Sequence, residues 1–454
     1  MQKIEIRGFG PITKCSVEIR DFMLLTGPQA SGKSTLAKSI FFFKNLKNIL
    51  FRQLRSRYPL TEFMEFQGKV RFEGQEKPLL HEMFVNAVRS NFIRVFGLTL
   101  PLKEPARLEY WYSEEASMSI SLSYDYIDVD LSENFRDFLK KLPGIFRWLH
   151  SETVEIEESE LIIAWRDALL SAKEKIDLFF DDRYEAVYIP AGRSLITVLG
   201  NQLAEVYARL SDDQKSSMDY CTKNYIERIM GMKSSLGQSV EQRVFHFEQT
   251  TGVKVDEELL EEASSRMREI LQGEYRVVGE DEGLQISEGR YVSINFASSG
   301  QQEAVWILNL LFHYLLHRKN ACFIIEEPES NLFPNTQKLM TEMIALARNG
   351  GQNRMLITTH SPYILGTINN LLYADKIASC VDGQKLEEVV PLRNRLSFRD
   401  LSAFFIERGK VISCVDEVEQ QICSEVIDGA SDRINRDYDE MIALKNGGGT
   451  PACF

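Results

Sequence analysis

The amino-acid sequence predicts an α/β fold with a mostly parallel sheet, an antiparallel β layer and a large, mainly helical insertion. Three observations lead to this class. An apolar strand, a glycine-rich loop and a helix follow one another near the N-terminus. Strands and helices alternate again from residue 275 onward, and short runs between 66 and 129 alternate polar and apolar residues as antiparallel strands do.

Length and composition set the outer limits. The chain has 454 residues, enough for two or three structural units with a sizeable core. Its formal net charge of −13 means that any phosphate-binding surface must be local. The seven cysteines are scattered without metal-binding spacing, and we expect neither a secretory leader nor a membrane-spanning segment. We therefore expect a cytoplasmic protein with no membrane partner.

The N-terminal part predicts the start of the parallel sheet. Residues 3–7 and 15–19 alternate, and residues 22–26 form a continuous apolar run, typical of a strand buried on both faces. The segment GPQASGKST follows, and from Leu36 the apolar spacing becomes helical. The order of strand, glycine-rich loop and helix is the one that a phosphate-binding loop requires.

The middle of the chain predicts the β layer and the insertion. The predicted elements are antiparallel strands at 66–73, 107–113 and 117–129, helices over 132–182, a buried strand at 184–191, and a polar, largely helical stretch at 194–272. No acidic residue occurs between Phe22 and Thr61, whereas basic residues are frequent there. This run is either a positive rim beside a phosphate site or a solvated helix facing an acidic segment such as residues 152–160, and we favour the second interpretation.

Strands and helices alternate in the last third of the chain. The predicted elements are strands at 275–279, 284–287 and 291–296, a helix at 303–316, a strand at 322–327, a helix at 335–348 and a strand at 354–360. This order predicts parallel strands with helices on the faces of the sheet. The resulting division is a core of residues 1–40, 184–195 and 275–390, a β layer with helical insertion at 41–183, a helical insertion or arm at 196–274, and a C-terminal segment at 391–454.

The segment after the first apolar run has the P-loop pattern G-x-x-x-x-G-K-[ST]. Its residues are Gly27, Pro28, Gln29, Ala30, Ser31, Gly32, Lys33 and Ser34, followed by Thr35. Glycines let consecutive backbone N–H groups turn toward a phosphate, and the helix N-terminus adds the positive end of its dipole. Lys33 is expected to reach the β- and γ-phosphates and Ser34 to ligate Mg²⁺, so the sequence predicts binding of ATP with Mg²⁺.

Two carboxylates end an apolar strand later in the chain. Glu326 and Glu327 follow the run FII, at the C-terminal end of a strand, where parallel sheets bind their ligands. Glu326 is predicted to hold the water shell of Mg²⁺. Glu327 is predicted to orient and polarise the attacking water.

Two further elements complete a recognisable set. The segment Ser298-Ser299-Gly300-Gln301-Gln302 precedes the acidic strand, and His360 ends the next strand. With the P-loop, this set resembles the ABC-class ATPases. The resemblance implies an ABC-type ATPase core that hydrolyses ATP, with a signature loop at Ser299, Gly300 and Gln301 that closes over the nucleotide of another subunit, and His360 on the γ-phosphate. Ser298, Gln301 and Glu326 depart from the family's Leu, Gly and Asp, which weakens a transporter assignment and leaves the ATPase assignment intact.

The resemblance extends to the soluble branch of this class, which includes the overcoming-lysogenization-defect nucleases and the RecF/SMC-like ATPases. It is carried by EEPESNLFP (326–334), TTHSPYIL (358–365) and YIPAGRS (188–194). We expect no Toprim nuclease domain in this protein. In size, insertion and motif set, the chain looks most like the AriA family, the ATPase subunits of the PARIS anti-phage systems. That resemblance implies a homo-oligomer with ATP sites shared between subunits, which holds a separate Toprim-type nuclease effector and releases it when a phage-encoded trigger protein is sensed.

The alternative is a RecF/SMC-like, DNA-associated ATPase in repair. The basic run from Lys33 to Arg57 would then contact nucleic acid, which is a possible but not the favoured partner. Gln67 is a candidate for the glutamine that senses Mg²⁺. Asp437 and Asp439 match the D-x-D pattern of a Toprim centre, but their polar, helical setting argues against a built-in nuclease.

Overall fold

The computed structural model describes residues 1–60, 79–97, 105–123, 126–150, 158–199, 202–211, 214–215, 218–236, 239–278, 281–423 and 435–443. Within these ranges the chain has one large sheet with helices on both faces. The candidate Gln67, the strand predicted at 66–73 and most of the acidic segment at 152–160 lie outside the described residues.

The strands of the described residues occur singly or in consecutive groups along the chain, with helices between the groups. They are β1 (Lys3–Phe9), β2 (Ile12–Glu18), β3 (Phe22–Thr26), β4 (Ala106–Trp111), β5 (Ser117–Ser123), β6 (Tyr126–Leu131), β7 (Glu185–Ile189), β8 (Glu274–Val278), β9 (Asp281–Ser287), β10 (Arg290–Ser293), β11 (Ala321–Glu326), β12 (Arg354–Thr359), β13 (Leu401–Glu407), β14 (Lys410–Ser413), β15 (Val415–Asp416) and β16 (Gln421–Ile422). In the described part of the chain, eleven of them form one sheet in the order β6-β5-β4-β1-β2-β14-β13-β3-β12-β11-β7. Strands β8–β10 form a separate antiparallel sheet, and β15 pairs with β16.

The helices cover both faces of this sheet. They are α1 (Lys33–Arg57), α2 (Leu80–Phe96), α3 (Glu133–Lys141), α4 (Glu158–Phe179), α5 (Ser194–Leu199), α6 (Gln202–Arg209), α7 (Tyr220–Leu236), α8 (Val240–Thr251), α9 (Glu257–Leu271), α10 (Ser299–Leu316), α11 (Pro334–Gly351), α12 (Pro362–Ile377), α13 (Gly383–Val389) and α14 (435–443). A 3₁₀ segment, Leu142–His150, follows α3. No helix of the described residues is long and apolar enough to cross a membrane.

The large sheet has a parallel half and an antiparallel half. Strands β13, β3, β12, β11 and β7 run parallel, whereas β2, β1, β4, β5 and β6 form an antiparallel meander. Strand β14 joins the halves, because it pairs with β13 on one side and with β2 on the other. The predicted α/β class is confirmed. The predicted antiparallel β layer is hydrogen-bonded into the same sheet instead of lying against it.

Alternate residues of the parallel strands point to two different cores. In β3, Phe22 and Leu24 belong to the core that packs against α9, α10, α11 and α12, whereas Met23 and Leu25 belong to the core around α1 and α2. The same alternation separates Ile325 from Ile324 in β11. A strand covered on both faces has no polar side, which explains the continuous apolar runs in the sequence.

The C-terminal part of the chain belongs to the main sheet, which differs from the predicted division. The predicted division places residues 391–454 in a segment outside the core. In the structure, β13 lies in the centre of the sheet and pairs with β3 over Leu401–Phe405. The reason is that β13 and β14 form a hairpin around Arg408 and Gly409, both with positive φ, which inserts between the two halves. Helix α1 likewise runs unbroken across the predicted boundary at residue 40.

The middle of the basic run of α1 is buried, so the favoured interpretation as a solvated helix is wrong there, whereas Arg52 and Arg55 at the end of α1 are exposed. The Nζ atom of Lys44 lies 2.9 Å from Oδ2 of Asp182 and 2.9 Å from Oε1 of Gln2, both buried. Lys47 also pairs with Asp182, and it lies 3.3 Å from Asp177. The charges of this part of the helix are neutralised inside the protein, because apolar neighbours such as Phe41, Phe42 and Phe43 hold the helix in the core. In contrast, Asp437 and Asp439 lie on the exposed helix α14.

Candidate functional site

The P-loop predicted from the sequence connects β3 to α1. All five residues of β3 are buried, and α1 begins at Lys33. Gly27 (φ 138°), Ala30 (φ 58°) and Gly32 (φ 115°) have positive φ values, so the loop turns sharply between strand and helix. Gly32 caps the helix without a side-chain hydrogen bond, and the first helical turn contains no acidic residue. The positive end of the helix dipole therefore faces the loop, as a phosphate site requires.

Lys33 turns back into its own loop. Its Nζ donates to the carbonyl oxygens of Gly27 (2.9 Å) and Pro28 (2.8 Å) and lies 3.4 Å from Nδ1 of His360. The side chain is buried, and this burial lowers the pKa of Lys33, while the nearby Glu327 opposes the shift. A buried cation that reaches into the P-loop in this way is arranged to meet a phosphate.

Glu326 ends β11 with a nearly buried side chain (6% exposed). Its Oε2 accepts from the backbone N–H of Ala191 (3.2 Å), whereas its Oε1 has no hydrogen-bond partner among the described residues. A buried carboxylate oxygen without a partner is unfavourable unless water or a cation satisfies it. Because Mg²⁺ prefers oxygen ligands and keeps several waters, Glu326 and the exposed hydroxyl of Ser34 are a donor set that fits this ion.

Glu327 and His360 form a pair beside the loop. Oε1 of Glu327 lies 3.1 Å from Nε2 of His360, and the other ring nitrogen of His360 is the one near Lys33. Glu327 has a left-handed backbone conformation (φ 42°), and its N–H donates to the carbonyl oxygen of Thr358 (2.9 Å). The two side chains meet because β11 and β12 are parallel neighbours, in register from Cys322 to Glu326, and both end at this edge.

A third carboxylate fixes the loop that carries His360. Oε1 of Glu329 accepts from the hydroxyl of Thr359 (2.6 Å) and from the backbone N–H of His360 (2.8 Å). Glu329 was not among the site residues predicted from the sequence. The sequence marks Glu329 only as a third acidic residue in the segment EEPES. The structure is needed to show that its carboxylate binds the end of β12.

The signature segment begins α10. Ser298 and Gln301 form a capping box, and the side-chain amide of Gln301 also donates to the carbonyl oxygen of Leu271 (2.6 Å). Gln301 is thus engaged within the subunit, and the predicted contact with nucleotide requires these bonds to open. Gly300 lies against the backbone of Asn331, so that a Cβ atom would come within 2.6 Å of its carbonyl oxygen.

The structure brings most of the predicted residues together, but not all of them. The P-loop, Glu326, Glu327 and His360 meet at the C-terminal edge of β3, β11 and β12. In the described part of the chain, no hydrogen bond links Ser299 or Gly300 to the P-loop of the same chain. A cluster around Arg193 was also missed, although its motif YIPAGRS stands out in the sequence.

A comparison with protein families decides the assignment. The model of the AAA ATPase domain family matches residues 100–365, more than half of the chain. The chain belongs to this family. It is an ATPase, and nucleotide binding follows from that membership. The matched range contains Ser299, Glu326, Glu327 and His360, whereas the P-loop precedes it.

Solved structures similar to this ATPase include two SMC heads and RecF. The SMC head bound to the C-winged helix domain of ScpA is 11% identical, with a TM-score of 0.41, covering 92% of this chain and 98% of that chain. The SMC head domain from Thermotoga maritima is 11% identical, with a TM-score of 0.35, covering 91% and 98%. The recombination mediator protein RecF is 12% identical, with a TM-score of 0.33, covering 91% and 97%. No curated protein matches this ATPase.

Proposed function

We propose that this ATPase binds ATP with Mg²⁺ between two copies of the chain and serves as the sensor and scaffold of an anti-phage defence system. In this proposal its nucleotide state decides whether a separate Toprim-type nuclease effector is held or released. The catalytic part rests on one observation, the series of contacts from Lys33 through His360 to Glu327. The defence role rests on the motif resemblance to the AriA family.

Binding would begin at the P-loop. The Nζ atom of Lys33 donates to two neutral carbonyls of the loop, and phosphate oxygens offer stronger, charged acceptors. Lys33 therefore turns from the loop toward the phosphate. Ser34 and Glu326 would hold Mg²⁺, which supplies Lewis-acid stabilisation of the charge that develops on the phosphate oxygens.

Hydrolysis would depend on Glu327. Its carboxylate orients the attacking water and accepts a proton from it, because it lies at the strand edge beside the P-loop. The ring of His360 lies between Lys33 and Glu327. A γ-phosphate bound by Lys33 would therefore contact this ring. Glu329 keeps the backbone of His360 in place during these steps.

The site is incomplete within one chain, which supports a homo-oligomer. Ser299 and Gly300 begin α10, and Gly300 packs against Asn331 and Leu332. Among the described residues, no hydrogen bond joins Ser299 or Gly300 to the P-loop of the same chain. Phe296 (86% exposed) precedes the signature segment, and Phe333 (72% exposed) follows Leu332, against which Gly300 packs. Both rings are unusually exposed for their size. A second copy would cover these rings and receive the signature loop over its nucleotide.

The nucleotide site is connected to the insertion, as a sensor requires. Lys38 lies one helical turn after Ser34, and its Nζ forms an ion pair with Asp219 (3.0 Å). Asp219 also accepts from the backbone N–H of Thr222 (2.9 Å), at the start of α7. A shift of the P-loop helix on nucleotide binding would therefore move the first turn of an insertion helix.

Buried charges favour the defence role over the DNA-associated alternative. A clamp on DNA needs exposed basic residues, but Lys44 and Lys47 are enclosed with Asp182. The formal net charge of −13 further weakens attraction to nucleic acid. Arg52 and Arg55, at the end of α1, are exposed and could contact DNA. The test of the defence role must therefore include a measurement of DNA binding.

The catalytic assignment is tested with Glu327→Gln. We expect kcat to fall by about 100-fold or more, the loss typical of a missing general base, while ATP affinity stays within a few-fold of wild type. Glu388→Gln, at an exposed position far along the sequence in α13, is the matched control and should hydrolyse normally. Lys33→Ala should instead abolish nucleotide binding. Wild-type turnover by Glu327→Gln would refute the role of this carboxylate.

The biological role is tested with the same variant under native mass spectrometry, in ATP and Mg²⁺, after co-expression with the neighbouring genes. A discrete oligomer carrying a second protein that cleaves nucleic acid after release would support the defence role. Duplex DNA binding that falls steeply as salt is raised would instead favour the repair clamp, because such a slope reports displaced counterions.

A further inference from the structure

One arginine lies fully buried behind the catalytic strand. Arg193 has 0% exposure, and it follows β7, the neighbour of β11. Its Nη1 donates to the carbonyl oxygens of Pro190 (2.7 Å) and Glu326 (2.6 Å), and its Nη2 donates to the carbonyl oxygen of Glu327 (3.0 Å). The planar guanidinium thus holds the main chain of both predicted active-site carboxylates.

These bonds matter because Glu327 has an unfavourable backbone conformation. A left-handed φ of 42° in a non-glycine residue persists only where the surroundings hold it. The N–H of Glu327 is held by Thr358 and its carbonyl by Arg193. Because the N–H and the C=O of Glu327 are both held by hydrogen bonds, the direction of its side chain toward His360 is fixed as well.

The charge of Arg193 is balanced by a residue of the signature helix. Glu303, in the second turn of α10, is buried, and its Oε2 accepts from the backbone N–H of Arg193 (3.1 Å) and lies 3.3 Å from its Nε. Its Oε1 accepts from the N–H of Ser194 (3.1 Å), and its carbonyl oxygen accepts from Nε of Arg193 (3.2 Å). One carboxylate therefore connects the helix that begins with Ser299 to the arginine behind Glu327.

We propose that Arg193 is the positioning residue of the catalytic carboxylate Glu327, and that Glu303 ties this arginine to the signature helix. The inference rests on the proposed function, since it assigns Arg193 to the reaction of Glu327. In a shared site, the signature helix contacts the nucleotide of the other copy. Movement of that helix would reach Glu327 of its own chain through only two side chains, Glu303 and Arg193.

The first test compares Arg193→Lys with a matched control. Lysine keeps the charge but cannot bridge two carbonyl oxygens with a planar fork. We expect kcat to fall about 100-fold, as for a misplaced reacting group, with KM and the affinity for a fluorescent ATP analogue within about 2-fold. The control is Arg228→Lys: Arg228 binds Glu185 (2.6 Å) and the carbonyl oxygen of Ala186 (3.1 Å) but neither catalytic carboxylate. A kcat of Arg193→Lys within about 3-fold of this control would overturn the proposal.

The second test combines Arg193→Lys with Glu327→Gln. If Arg193 acts through Glu327, the double variant should be no slower than Glu327→Gln alone, whereas a general structural defect would lower its rate by the same factor again. Should Arg193→Lys fail to melt cooperatively, Glu303→Gln decides instead, because it is isosteric and turns an N–H donor toward one of the two N–H groups that the carboxylate accepts from. A folded Glu303→Gln protein with unchanged kcat would refute the positioning role of Arg193. If Glu327→Gln still loses its activity in that case, the proposed function of Glu327 stands.

Discussion

Gly27→Ala is the substitution for which the structure makes its sharpest prediction. Gly27 opens the P-loop with a φ of 138°, which side chains with a Cβ rarely adopt. A Cβ atom there would lie closer than 3.0 Å to the carbonyl oxygen of Ile406, 3.0 Å from its carbonyl carbon and 3.1 Å from its nitrogen. Three backbone atoms of one residue stand in the way, so no rotamer change can relieve the collision.

Two costs add for this substitution. Holding a non-glycine residue at such a φ value costs about 1–3 kcal/mol. Pushing β13 away from β3 to make room is a case of overpacking and costs about another 1–3 kcal/mol. We therefore expect the free energy of unfolding to fall by about 2–6 kcal/mol, a large part of the stability of a typical domain.

Denaturant unfolding monitored by circular dichroism measures this loss, and titration with a fluorescent ATP analogue should show weaker binding, because the P-loop can no longer keep its turn. The matched control is Gly366→Ala in α12, where an added Cβ would meet nothing within 4 Å. That change should be neutral or stabilise by up to about 1 kcal/mol. A Gly27→Ala protein within about 0.5 kcal/mol of wild type, with normal nucleotide affinity, would refute the close approach of β13 to the P-loop.

Two further predictions concern buried charges. Asp182→Asn should lower the free energy of unfolding by about 3–5 kcal/mol in denaturant titrations, because it leaves the ammonium of Lys44 buried without its carboxylate. Burial lowers the pKa of His313 to about 3, so below pH 6.5 the unfolded chain binds a proton that the folded chain does not, and stability falls as the pH falls toward 3. His313→Gln should therefore lose about 2 kcal/mol less than wild type between pH 7.5 and pH 5, measured by urea unfolding at each pH.

Controls for these two substitutions lie on the surface. Glu205→Ala removes the exposed ion pair with Arg209 and should change stability by less than about 1 kcal/mol. His246→Gln replaces an exposed histidine and is the matched control for the histidine-to-glutamine change. Equal losses in Asp182→Asn and Glu205→Ala would refute the stabilising role of the buried Asp182. Parallel pH profiles of wild type and His313→Gln would refute the effect of burial on His313.

The candidate site could be predicted from the sequence where a local pattern indicates the chemistry. The P-loop and the strand ending in Glu326 and Glu327 each occupy a few consecutive residues, so spacing and apolar context were enough. The parallel register of β11 and β12 then brings His360 to the same edge. Main-chain contacts made by distant side chains leave no such pattern, and for that reason the role of Arg193 required the structure.

The burial of α1 was missed for a different reason. Lysines within a helix usually indicate a solvated face, and the partner of Lys44 and Lys47 is Asp182, far away in the sequence. Similarly, β13 pairs with β3, which lies at the other end of the chain. Long-range pairing of this kind depends on how the two halves of the sheet approach each other, which no local periodicity reports.

Strand β13 of the parallel half and the start of β2, in the antiparallel half, both lie against the P-loop. Gly32 faces Ile12 of β2, with 3.0 Å between a Cβ at Gly32 and Cγ1 of Ile12, and Gly27 faces Ile406 of β13 on the other side. The P-loop is therefore enclosed between two elements of the sheet. The backbone N–H of Thr13 donates to the carbonyl oxygen of Gly409 (2.9 Å), so these two walls are bonded to each other. If the P-loop rearranges around a phosphate, we therefore expect β2 and the β13–β14 hairpin to move with it, which would carry the nucleotide state to the antiparallel half of the sheet.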